Sequence, residues 1–152
     1  MAADERYIYW IARARHRLFS ALDEALLAAA EVTTAQSAAL FWLRKRDGAR
    51  LSELSRGLDL DNSAITGMVD RLEKKGLVRR ERIPGDRRAT GVWLTPAGRE
   101  TAERALPVVN DFNARVAEGF SDAELDAFMR VLRAIGRRFG GEGADEDVGA
   151  AS

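Results

Sequence analysis

The sequence predicts a mainly α fold with one small β-hairpin at its centre, on three observations. First, across residues 61–74 the apolar side chains fall at Ile65, Met68, Val69 and Leu72, the i, i+3, i+4, i+7 spacing of one helix face. Second, Gly76 then supplies a left-handed stop. Beyond it, residues 78–83 and 90–95 alternate as β-branched strands on either side of Pro84-Gly85-Asp86-Arg87-Arg88. Third, long amphipathic stretches without strand character fill both ends of the chain. Helix, glycine stop and basic-tipped hairpin together make a winged helix-turn-helix core flanked by N- and C-terminal helices.

Taken in order, residues 4–30 read as one amphipathic helix with a stripe at Ile8, Ile11, Arg15, Leu18, Leu22, Ala25 and Leu26. Such a helix runs to ~40 Å, more than one small winged domain covers, and Tyr7, Tyr9, Trp10 and Phe19 widen its apolar surface. It is therefore read as half of a subunit interface. Thr33 and Gln36 have capping-box spacing and open a second helix that runs to about Arg46 and buries Ala39, Leu40 and Leu43. Asp47-Gly48 turns the chain into a short third helix with Leu51, Leu54 and Leu58 inward. With the helix that Asp61 caps, this completes the helix-turn-helix. After the hairpin, Thr95 caps a helix with Pro96 at its first position, continuing to about Gly119 with a kink expected at Pro107. Ser121 and Glu124 form a second capping box. The last helix is expected to bury Leu125, Phe128, Leu132 and Ile135 before Gly140-Gly141 stops it. Beyond Glu142 the chain is small, acidic and aperiodic, so 142–152 is expected to be a disordered tail. Residues 1–141 are thus one domain, with a winged lobe over about 33–95 and dimerisation helices over about 4–30 and 96–139.

Composition narrows the function. With no cysteine among 152 residues, disulfides, thiolate metal sites and thiol sensing are excluded. No apolar run approaches the ~20 residues of a membrane span, and the N-terminus lacks a signal peptide's basic and apolar regions. A cytoplasmic protein without a membrane partner is expected. An enzyme fits poorly: His16 is the only histidine and lies on an arginine-rich helix, so a Ser-His-Asp arrangement would depend on it alone. The glycines at 140, 141 and 143 neither follow a strand nor open a helix, so they are not a phosphate loop. No metal or other cofactor is expected. Net charge is zero, which argues against indiscriminate polyanion binding. Yet residues 44–88 hold 13 Lys/Arg against 8 Asp/Glu, a local excess of +5 that leaves −5 for the remainder.

That excess falls where a nucleic-acid contact would need it. The helix opened by Asp61 carries Ser63, Thr66, Gly67, Asp70 and Lys74 opposite its apolar face, and small polar side chains let a helix sit deep in a major groove. The candidate contacts to double-stranded DNA are Ser63, Thr66, Gly67 and Arg71 on this helix, with Arg82, Asp86, Arg87 and Arg88 on the hairpin. Asp70 has two readings. It accepts from a cytosine amino group, or it pairs with Arg71, Lys74 or a wing arginine and braces the helix; bracing is favoured.

The run Asp86-Arg87-Arg88 followed by Val92-Trp93-Leu94-Thr95-Pro96-Ala97-Gly98 resembles the D-x-R…V-x-L-T-x-x-G pattern of MarR-family (multiple antibiotic resistance regulator) transcription factors. The passage from Met68 to Val78 is similar to the same family's helix-to-wing segment, and Val32-Thr33-Thr34-Ala35-Gln36 to the start of its second helix. The similarity spans roughly 12–139. There are two departures. Arg50 stands where the family often has a hydroxyl cap, and Gly57 falls two residues before the usual turn glycine, at Asp59, so the third helix is expected to end sooner. The resemblance implies a homodimer on a pseudo-palindromic operator, usually a repressor, released by a small, often aromatic and anionic, effector. By side-chain type and approximate position, His16, Arg17 and Trp42 are the candidate effector-lining groups. It assigns minor-groove insertion to Arg88, with Asp86 holding that arginine by a charge-assisted bond. The alternative is a dimer without an effector, controlled by abundance or a protein partner.

Overall fold

The computed structural model describes residues 6–140, so the expected helix start at Asp4 and the expected disordered tail lie outside the described residues. The order is α1 (Tyr7–Ala30), α2 (Thr34–Lys45), β1 (Ala49–Arg50), α3 (Leu51–Gly57), α4 (Asn62–Lys74), β2 (Val78–Arg82), β3 (Thr90–Leu94), α5 (Pro96–Ala117) and α6 (Asp122–Phe139). The caps follow the side-chain chemistry. Thr33 and Gln36 bond reciprocally at 3.2 and 3.1 Å. Thr95 accepts from Gly98 N at 3.0 Å, and its hydroxyl also donates to Gly76 O, tying the start of α5 to the end of α4. Ser121 and Glu124 close the second box. Arginine has no acceptor, so at α3 only half a box forms: Glu53 Oε2 receives the Arg50 N–H at 2.8 Å.

The core sits under the winged lobe. All four apolar positions of α4 are buried, with Leu26, Val32, Leu40, Leu43, Leu54, Val78 and Val92 around them. The hairpin forms as expected, but the sheet has three antiparallel strands in the order β1-β3-β2 rather than two. Ala49 pairs with Val92 and Arg50 with Gly91. Two residues give no alternation to read, so β1 was invisible to a periodicity argument.

The turn between α3 and α4 accounts for the second departure. Asp59 takes the left-handed conformation, φ 53°, that glycine would adopt more easily. Gly57 answers a different demand: a Cβ there would stand 2.2 Å from Trp42 Nε1. The indole of Trp42 thus lies close against the α3 backbone at Gly57, where only a residue without a Cβ fits. α3 ends at Gly57, with Leu58 as its C-cap.

One expected burial is not met, on α6, while α1 is left open as the subunit-interface reading expects. None of Leu125, Phe128, Leu132 and Ile135 on α6 is buried; Phe128 and Leu132 are exposed. On α1 only Leu22, Leu26 and Ala30 are buried, while Ile8 is 86% exposed and Tyr7, Trp10 and Ile11 are also open. Both helices form, and the exposed parts of their apolar faces have no covering element among the described residues. α5 runs through Pro107 as one helix. One tie crosses the lobe: Lys75 Nζ, at the end of α4, donates to Glu31 O at 2.6 Å and to Gln36 Oε1 at 3.3 Å, holding the α4 terminus to the α1–α2 junction.

Candidate nucleic-acid interface

The outer face of α4 is ordered by its own polar groups. Asp61 Oδ1 accepts the Ala64 N–H at 2.8 Å and the Ser63 hydroxyl at 2.9 Å. The Ala64 N–H, and after it the Ser63 hydroxyl, hold this exposed carboxyl below its ordinary pKa. Thr66 donates to Asn62 O at 2.7 Å. Ser63, Thr66 and Arg71 are exposed on one side of the helix with the half-buried Gly67.

Asp70 pairs with the guanidinium of Arg80, so the brace is a wing arginine. The same guanidinium faces Glu73 at 3.7 Å, and the Arg80 N–H donates to Glu73 Oε2 at 3.1 Å. Arg80 thus pins β2 to two successive turns of α4. It was missing from the expected contacts, although strand alternation carries the signal: Arg80 is two residues from Val78 and shares its inward face.

At the wing tip, main-chain bonds from Asp86 N to Ile83 O, 3.1 Å, and from Ala89 N to Asp86 O, 3.3 Å, close the loop. Asp86 Oδ1 receives the backbone N–H of Arg88 at 3.0 Å, and Oδ2 lies 3.4 Å from the guanidinium of Arg50. The expected bond from Asp86 to the Arg88 guanidinium is therefore corrected. A short aspartate folds back on the main chain two residues on, and its other oxygen faces α3. Arg50, read as a lost cap, instead ties the wing to the helix-turn-helix. Arg79 is paired with Glu81. Arg71, Lys74, Arg82, Arg87 and Arg88 have no carboxylate partner among the described residues and stay exposed. This leaves a cationic rim from α4 to the wing tip, with the acids of this face already paired.

A second feature borders the α3–α4 turn. A groove of about 700 Å³ lies between the middle of α1, the end of α6, the start of α2 and the end of α3 with the turn after it. Its walls include Arg15, Phe19, Thr34, Arg56, Asp59 and Phe139. Arg15 stacks over the Phe19 ring at 4.8 Å, and Thr34 Oγ1 is enclosed without a hydrogen-bond partner.

The model of the MarR family matches residues 32–90, from the start of α2 to the end of the wing loop. The helix-turn-helix regulator YsmB of Bacillus subtilis is 30% identical over 101 residues, 66% of this chain and 69% of that protein. The chain belongs to the MarR family. It is a DNA-binding transcriptional regulator and not an enzyme. Solved MarR-like folds superpose closely. One is BpsR of Bordetella bronchiseptica, in a study of how 6-hydroxynicotinic acid regulates its DNA binding. It is 27% identical, with TM-score 0.76, covering 86% of this chain and 98% of that one. The repressor CouR bound to a 23-mer DNA duplex is 31% identical, with TM-score 0.79, covering 86% and 92%.

Within this MarR-family chain, the structure brings Ser63, Thr66, Gly67 and Arg71 together on α4, and Arg82, Asp86, Arg87 and Arg88 on the wing. It does not bring the three effector candidates together. His16 and Arg17 are exposed on α1 and do not line the groove, and Trp42 is buried against Gly57 with Arg46 over its ring at 5.3 Å. Each residue along a helix turns the side chain by ~100°, so the groove-facing arginine of that turn is Arg15. The signal was present, as a charged residue inside an apolar stripe.

Proposed function

We propose that the protein works in the cytoplasm as a homodimeric repressor. It grips a pseudo-palindromic operator with α4 in the major groove and the wing tip alongside, and a small aromatic anion releases it. Residues 1–141 act as one unit: the lobe over about 33–95 holds DNA, and the helices on either side pair two copies. The observation that carries the reading is the small polar face of α4 beside a rim of unpaired cations. Unmet apolar surface on α1 and α6 supports the dimer, because a contiguous patch of that kind needs a partner. Sedimentation at micromolar concentration is expected to give a dimer, and a folded monomer would end this reading. Deleting the first 20 residues should leave an aggregating or unfolded chain.

The groove supports the effector. Two arginines, a stacked phenyl ring and an unmet hydroxyl suit a flat carboxylate, the chemical class of the acid named with BpsR. A short route leads to α4: Thr34 lines the groove, and Gln36, in the same helical turn, holds Lys75. Salicylate and 6-hydroxynicotinate are expected to lower operator affinity through ~1–3 kcal/mol of coupling, and Arg15→Ala to blunt that response. If a broad panel of aromatic acids moves neither the melting temperature nor DNA affinity, control lies in abundance or a protein partner instead.

A further inference from the structure

Two hydrogen bonds limit what α4 can offer a base. A main-chain carbonyl only accepts, so the Thr66 hydroxyl, 2.7 Å from Asn62 O, must direct its one proton there. Ser63 directs its proton to the Asp61 carboxylate at 2.9 Å. Both hydroxyls therefore meet a groove as acceptors. Asp70, the next polar group along this face, is held by Arg80. With Oγ1 turned back on the helix, the substituent that exposed Thr66 has left to present is its methyl. It stands beside Gly67, which has no side chain to compete.

Among the base pairs, only A·T carries a methyl on its major-groove edge, at thymine C5. Guanine shows two acceptors there, which an acceptor-only hydroxyl cannot satisfy. We propose that Thr66 selects thymine at one position of each operator half-site by packing its methyl against the C5 methyl. The inference rests on α4 being the groove helix and goes beyond it by naming the base and the group read.

The test replaces each thymine of a selected operator with uracil, which removes only the C5 methyl. One position per half-site should weaken wild-type binding about fourfold, the scale of one buried methyl. Thr66→Ser keeps the hydroxyl and drops the methyl. It should lose the same factor on the thymine operator and nothing more on the uracil one, with unchanged helix content. The proposal is overturned if no uracil position matters to the wild type, or if Thr66→Ser still loses affinity on uracil. Thr66→Glu separates this from the reading beneath it, because a carboxylate at the groove floor should abolish specific binding. Normal binding by that variant removes α4 from the groove and both claims with it. Abolished binding with silent uracil positions removes thymine selection alone.

Discussion

Arg88→Ala is expected to weaken operator binding by about 1–3 kcal/mol per half-site, the worth of one good arginine contact, with little change in stability. Arg88 stands exposed on a tip that main-chain bonds and Asp86 have already shaped. A guanidinium there can enter the neighbouring minor groove, where negative potential is strongest in narrow A·T tracts. The carboxylate of Asp86 fixes the peptide of Arg88 and leaves its guanidinium free, so the backbone is ordered before DNA arrives and only the side chain loses rotamer freedom on insertion. Arg88→Lys should recover part of the loss, because lysine keeps the charge but not the planar fork. Binding measured at fixed salt for Arg87→Ala and Arg88→Ala side by side decides the matter. An unaffected Arg88 variant ends the assignment, and a larger loss at Arg87 would transfer the role to it.

Gly57→Ala is expected to destabilise the fold by about 1–3 kcal/mol, the range for forcing extra volume into a packed site. The added Cβ would stand 2.2 Å from Trp42 Nε1, and the indole has little room to yield because Trp42 is 6% exposed. Nothing in the helical propensity of α3 predicts this, since alanine is the better helix former. The sign of the result therefore separates the two effects. Chemical denaturation of Gly57→Ala, Trp42→Phe and the double variant forms a cycle. The smaller ring should make the alanine less costly, and a glycine-to-alanine cost independent of residue 42 would show that the contact is not its origin.

How much was legible follows from where each signal lay. Four apolar residues at helical spacing fixed the buried face of α4, because 3.6-residue periodicity survives any context that keeps one side dry. Thr33, Thr95 and Ser121 announced three helix starts because a side-chain oxygen next to free N–H groups has few other uses. β1 was not legible, since its two residues are held by pairing with Val92 and Gly91 far along the chain. The burial expected for α6 could not be read either. Periodicity shows which face is apolar but not whether the same chain covers it. On the site, residue type located the exposed cations, whereas their partners were set by tertiary approach: Asp86 found Arg50, and Asp70 found Arg80. The groove shows the finest limit, since one residue of helical rotation separates Arg15 from His16.

The seating of Trp42 on Gly57 also has an optical consequence. The chain has three tryptophans, and they sit in three different places. Trp10 is 47% exposed on the open face of α1, Trp42 is enclosed beneath α3, and Trp93 lies on the wing sheet with Arg79 over its ring at 5.5 Å. Indole emission shifts to the blue as water is excluded, so each ring carries its own colour and its own address. A chain retaining Trp42 alone, with phenylalanine at 10 and 93, would glow from behind the groove wall formed by Gly57 and Leu58. Quenching there by an aromatic acid could be followed without a label and without DNA.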